Sequence, residues 1–189
     1  MTADSSRTTV LDSQLFEEWP PELRALFDGS ALAEKVGFTA SLLTADVSGH
    51  LRTSLLSVGE LYAPDGRALC FSLWPTARAA RALREQATDG KGGRGCSRAA
   101  LTFVHGAAFY QVQLKNVEPL PDNGELACFD ASIEAGERQR VPYAQLTSGI
   151  AFELQGQSSE AVLARWQSQV DRLRLAAQDR RAAPWTIGA

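Results

Sequence analysis

Between Val36 and Val117 the chain is a succession of strand-length apolar segments separated by turn signals. No other feature restricts the fold as much. VGFTASLLTA (36–45), HLRTSLLSVGELYA (50–63), ALCFSLW (68–74), RAALTFV (98–104) and AAFYQVQLKNV (107–117) each carry the β-branched, aromatic and alternating pattern of a strand. DVSG (46–49) separates the first two, and PDGR (64–67) brings an Asp-Gly hairpin signal. His105-Gly106 makes the last connection a tight turn, and Gly59 marks an expected bulge in the second strand. The third and fourth strands are separated by WPTARAARALREQ, in which Pro75 stops the ladder and an alanine-rich helix follows. Strands joined mostly as hairpins, with one helix inserted, predict an antiparallel β-barrel or sandwich with flanking helices.

The flanks are read with the same rules. Residues 1–10 are expected to be a disordered tail, and 11–189 a single domain. Asp12 is expected to cap a helix over SQLFEEW, and Pro21 suits the first position of a helix over PELRALF. A helix is predicted over 122–139, with Asp122 or Asn123 near its cap, and a further strand around GIAFEL (149–154). A long helix is predicted over 158–181, capped by Ser158 or Ser159. Val162, Trp166, Val170, Leu173 and Ala177 fall on one face of it at spacings of three and four.

Composition removes several classes of function. A net charge of -3 gives no broad basic footprint for nucleic acid. Cys70, Cys96 and Cys128 form no C-x-x-C pair and are odd in number, which argues against a disulfide framework or a zinc site and for a reducing compartment. The N-terminal stretch is polar and acidic, and no apolar run approaches the roughly 18 residues of a membrane span, so a cytoplasmic protein without membrane contact is expected. His50 and His105 each lie beside a turn glycine, without the partners of a catalytic triad or the spacing of a metal site. GKGGRG (90–95) has its lysine in the wrong place for a phosphate loop and leads into a strand, so a plain loop is expected.

The helix after Pro75 carries Arg78, Arg81 and Arg84, the first two near its positive end. Cations are poorly placed there unless an anion joins them. The order of these elements, from VGFTASLLTADVSGHLRTSLLSVGEL through ALCFSLWPTARAARAL to QVQLKNVEPL, resembles the pyridoxamine 5'-phosphate oxidase-like family. The resemblance covers roughly residues 30–120.

It implies a flavin-binding split β-barrel, a homodimer, and FMN held in a groove at the subunit interface for redox chemistry on a small molecule. It implies that Arg52 reaches the flavin or its phosphate, with Ser54 and Leu55 following along the groove. It further implies cofactor roles for Ser72 and Trp74 at the end of the third strand, for Thr76, Arg78 and Arg81 around the phosphate, and for Gln111 or Gln113 at the ring edge. Ala77 and Ala79 depart from the family pattern, which has a hydroxyl and a further cation there, and leave Thr76 as the nearby hydroxyl. Catalytic residues are not identified. RRAAPWTIGA at the C-terminus lacks the substrate motif of the pyridoxamine phosphate enzymes.

The bland alternatives stay open beside these. Arg52 would pair with a carboxylate, the helix arginines would be solvated, the glutamines would be plain surface, and Trp74 would belong to the core or an interface. A cofactor-less dimer and a haem- or F420-binding member are the rival functions.

Overall fold

The computed structural model describes residues 11–88, 97–121, 125–154 and 159–182. The expected tail (1–10), the glycine-rich loop, Cys96, the cap residues Asp122, Asn123 and Ser158, and the last seven positions lie outside the described residues.

Among the described residues, eight strands and three α-helices follow in the order β1 (Asp12–Phe16), α1 (Pro21–Leu26), β2 (Ala40–Ala45), β3 (Leu51–Leu56), β4 (Leu61–Tyr62), β5 (Ala68–Leu73), α2 (Arg78–Thr88), β6 (Arg98–His105), β7 (Ala108–Pro119), β8 (Ala127–Arg140) and α3 (Ser159–Ala182). All pairings are antiparallel, and the sheet runs β3-β2-β6-β7-β8-β5-β4. β3 and β4 stand at opposite ends of that path, yet only Ser57–Glu60 separates them in the chain. The sheet therefore curls until its two ends are halves of one interrupted strand, which is the expected mainly-β split barrel.

The interruption is a single 3-10 turn, Val58–Glu60. Ser57 and Glu60 close it as a capping box, Glu60 accepting from the Ser57 backbone N–H at 2.7 Å and from its hydroxyl at 2.9 Å. Gly59 is needed because α3 crosses the turn at close range. A Cβ there would lie 2.2 Å from Cγ of Trp166. The bulge expected at Gly59 is thus a full break in the strand, placed where α3 lies on it.

The α3 stripe is as predicted: Val162, Trp166, Val170, Leu173 and Ala177 are all buried. Inside the barrel, Phe27 meets Trp19, Phe38 and Phe103 edge-on, and Phe103 stacks on Tyr110 at 5.2 Å between centroids. The β6–β7 hairpin turns through Gly106 and Ala107, both at positive φ.

Three expectations fail. Residues 12–16 form a strand and not a helix, pairing with β8 from Asp12↔Arg140 to Phe16↔Gly136. Phe16 lies over Gly136, where a Cβ would come within 2.1 Å of its ring, and Arg138 pairs with Asp12 at 3.1 Å. These long-range contacts outweigh a marginal local helix signal.

The second failure is larger. The helix predicted over 122–139 is β8, fourteen residues long and paired with β7 along one edge and with β5 and β1 along the other. The alternation Phe129, Ala131, Ile133 inward against Asp130, Ser132, Glu134 was present in the sequence. Its alanines and glutamates have helix propensity, and pairing on both edges overrides it. Third, 149–154 forms no strand; Phe152 packs edge-on against Trp166 at 6.0 Å and Leu154 joins the core.

Candidate functional site

The residues singled out in the sequence lie in four places. The first is the start of α2. Thr76, Arg78 and Arg81 are exposed, while Ala79, Ala80, Ala82 and Leu83 are buried. The guanidinium groups of Arg78 and Arg81 have no hydrogen-bond or ion-pair partner among the described residues. The first-turn N–H groups of a helix also lack intrahelical acceptors, so this end offers donors and two free cations. The alanines explain themselves here. Ala79 is 1 % exposed and Ala77 packs against the core, so neither position could present a ligand to a surface group. Thr76 is the hydroxyl that faces out.

The second place is the β2–β3 hairpin. Arg52 and Ser54 share the half-buried face of β3, with Leu56 buried beyond them. Arg52 is engaged: its Nη2 donates to Asp46 Oδ2 at 3.0 Å. The N–H of His50, then Arg52 and the N–H of Ser48, hold the Asp46 carboxyl below its usual range, against a partly offsetting desolvation. Sequence reading missed Asp46. Its position in a turn six residues before Arg52 was the available signal, because aspartate at such a turn accepts from the backbone two residues on. Gln86 near the end of α2 donates to the Ala45 carbonyl at 2.6 Å. Eight helical positions, about 12 Å of rise, separate Gln86 from Arg78. Arg52 therefore stands toward the end of α2 opposite the Arg78 end.

The third place is the outer face of β3-β2-β6-β7. Leu55, Ser41, Thr102 and Gln111 stand in one cross-strand row, and Thr53, Leu43, Ala100 and Gln113 in the next. Leu55 and Gln111 are thus brought onto one surface, three strand spacings or about 14 Å apart. These eight residues carry no charge. Leu51 at the rim is 73 % exposed and Leu55 is 54 % exposed.

The fourth is the end of β5. Ser72 lies on the face of β5 that carries Cys70, opposite Cys128 of β8 and on the α3 side of the sheet, and is 1 % exposed, its Oγ without a hydrogen-bond partner in the structure. It is closed to any surface ligand. Trp74, two residues on, is 59 % exposed and lines a cavity of about 300 Å³ against α3. None of the other sequence-derived candidates lines that cavity. Its α3 residues were not anticipated; they flank the apolar stripe at Arg165, Ser168, Gln169 and Arg172. Their spacing of three and four was the only sequence signal, and surface residues of any long helix show it.

Among the described residues no group of His, Cys, Asp and Glu could hold a metal ion, and no helix is long and apolar enough to cross a membrane. Cys70 is fully buried beside Asp130, and burial first, then the Asp130 charge, pushes its thiol far up, so it is no nucleophile.

No protein-family model matches the chain, and no curated protein matches its sequence. Solved structures with a similar outline include an FMN-binding protein from Syntrophomonas wolfei, at 10% identity over 61% of this chain and 86% of that one, with a TM-score of 0.42. The heme storage protein HutZ from Vibrio cholerae is 12% identical over 62% of this chain and 91% of that one, with a TM-score of 0.40. The styrene monooxygenase flavin reductase from Pseudomonas putida S12 is 14% identical over 66% of this chain and 96% of that one, with a TM-score of 0.39.

Proposed function

We propose that this chain is an FMN-binding oxidoreductase of the pyridoxamine 5'-phosphate oxidase-like type, acting on a small molecule as a two-fold homodimer. The observation that carries the reading is the pair Arg78 and Arg81, exposed and unpaired at the positive end of α2 with the Thr76 hydroxyl beside them. A dianionic phosphate fits that set of donors: two guanidiniums, a hydroxyl and helix N–H groups. The isoalloxazine ring, when bound, supplies the electron transfer. The chain's own part is to bind and orient it, with Leu55 as apolar contact and Gln111 as hydrogen-bonding group in one uncharged row of the outer sheet face. That face is the dimer surface in this reading, since Leu55 at the end of an uncharged cross-strand row and Leu51 on the same face are costly to leave in water. Arg52 would shape the groove through its pair with Asp46, which leaves it a positioned charge and not a free clamp.

The rival with a specific observation behind it is a cofactor-less dimer, favoured by the engagement of Arg52 with Asp46 and the burial of Ser72.

The test is a titration of FMN and riboflavin into wild type and into Arg78→Ala/Arg81→Ala, followed by flavin fluorescence. Each charge-assisted bond contributes about 1.5–3 kcal/mol, so the double variant should bind FMN at least ten- to a hundredfold more weakly. Riboflavin affinity should change little. Equal FMN affinity in the two proteins removes the arginines from the site. No FMN binding by wild type at high micromolar concentration refutes the flavin reading and leaves the cofactor-less dimer.

A further inference from the structure

The cavity beside Trp74 has the parts of a binding site, and of its lining only Trp74 is a residue that the resemblance assigns to the cofactor. It is walled by Trp74 at the end of β5, Leu126 at the entry to β8, and Arg165, Ser168, Gln169 and Arg172 of α3, with Glu125 at its edge. Its volume of about 300 Å³ lies at the lower end of the range for small-molecule pockets.

Three features define what fits. Trp74 presents a largely exposed indole, a surface on which a planar ring stacks. Gln169 is 8 % exposed, and its Oε1 has no hydrogen-bond partner in the structure. A buried acceptor without a donor is unfavourable, and a ligand N–H or O–H would relieve it. The charges do not balance. Arg172 is paired with Glu125, while Arg165 has no ion pair within contact distance among the described residues, Glu60 being a more distant carboxylate. One guanidinium is therefore left to meet an anion, and Ser168 adds a hydroxyl.

We propose that this cavity binds a small aromatic carboxylate bearing a ring hydroxyl or N–H. The ring stacks on Trp74 and packs against Leu126, the carboxylate meets Arg165, and the donor satisfies Gln169. This does not rest on the flavin reading, because Arg78, Arg81 and the outer sheet face take no part in it.

The experiment is calorimetric titration of the full chain with 4-hydroxybenzoate, and with 4-hydroxybenzyl alcohol as the neutral analogue. Wild type should bind 4-hydroxybenzoate at one saturable site, and the alcohol at least tenfold more weakly. Trp74→Ala, at an exposed position where folding is not at stake, should weaken binding at least tenfold. Gln169→Leu, which keeps the shape and removes the acceptor, should do the same while its melting temperature stays at or above that of wild type. Absence of saturable uptake overturns the proposal. So does uptake that is unchanged in Trp74→Ala, which would place the ligand elsewhere. Displacement of the probe by FMN would also overturn it, by making the cavity part of the flavin groove.

Discussion

The closure of the barrel at Ser57–Glu60 makes a prediction that can be worked from distances. A methyl on Gly59 would lie 2.2 Å from Cγ, 2.5 Å from Cδ1 and 2.6 Å from Cβ of Trp166. Carbon atoms in contact sit near 3.5–4.0 Å, so either α3 or the turn has to move by more than 1 Å. Neither is free to do so. The turn is held by the Ser57–Glu60 capping box, and Trp166 is 5 % exposed and wedged against Phe152. Gly59 is not among the residues at positive φ, so alanine there has no backbone penalty and gains slightly from a stiffer unfolded chain, which leaves the clash as the one destabilising effect. Gly59→Ala should cost about 1–3 kcal/mol, the usual range for overpacking. For a chain of this length that is a fall in Tm of roughly 2–12 °C.

Trp166→Ala should cost about 3–5 kcal/mol through the lost ring and the cavity it leaves. In that background a methyl at position 59 meets open space and should be nearly neutral. The double variant should therefore be more stable than the sum of the two single effects predicts, with a coupling of about 1–3 kcal/mol. Urea unfolding of the four proteins, followed by far-UV circular dichroism, measures all the terms. If Gly59→Ala costs the same with and without the tryptophan, the two are not in contact and α3 does not seal the break in the strand.

Two further outcomes are expected. Ala107 sits at φ 61° in the β6–β7 turn, and relief of that left-handed conformation should make Ala107→Gly more stable by about 0.5–1 kcal/mol, after the greater freedom of unfolded glycine is subtracted; an unchanged or lower denaturant midpoint would refute it. Sedimentation at micromolar concentration should give a species of twice the 20.4 kDa chain mass. Leu51→Asp/Leu55→Asp on the outer sheet face should shift it to monomer without unfolding, and a wild type already monomeric would remove the dimer from the reading.

What the sequence determined by itself was whatever its local periodicity encodes. The run of hairpins from residue 40 to 117, the inward and outward alternation of β3 and β7, and the buried stripe of α3 all follow from patterns of period two or near four within one segment. The two cations at the start of α2 were legible for the same reason, since their neighbours decide which way they face.

Tertiary structure decided the rest, wherever the deciding partner is distant in the chain. β8 is a strand because β7, β5 and β1 pair with it, although its alanines and glutamates favour a helix in isolation. β1 is a strand because Phe16 finds the bare backbone of Gly136, and β3 stops where Trp166 arrives over Gly59. Arg52 is engaged because the hairpin turn folds Asp46 back toward it. Trp74 lines a cavity only because α3, some ninety residues later in the chain, packs beside the end of β5. Loop closure over such separations is an entropic cost met by the assembled core, and no short window of sequence contains the contacts that offset it.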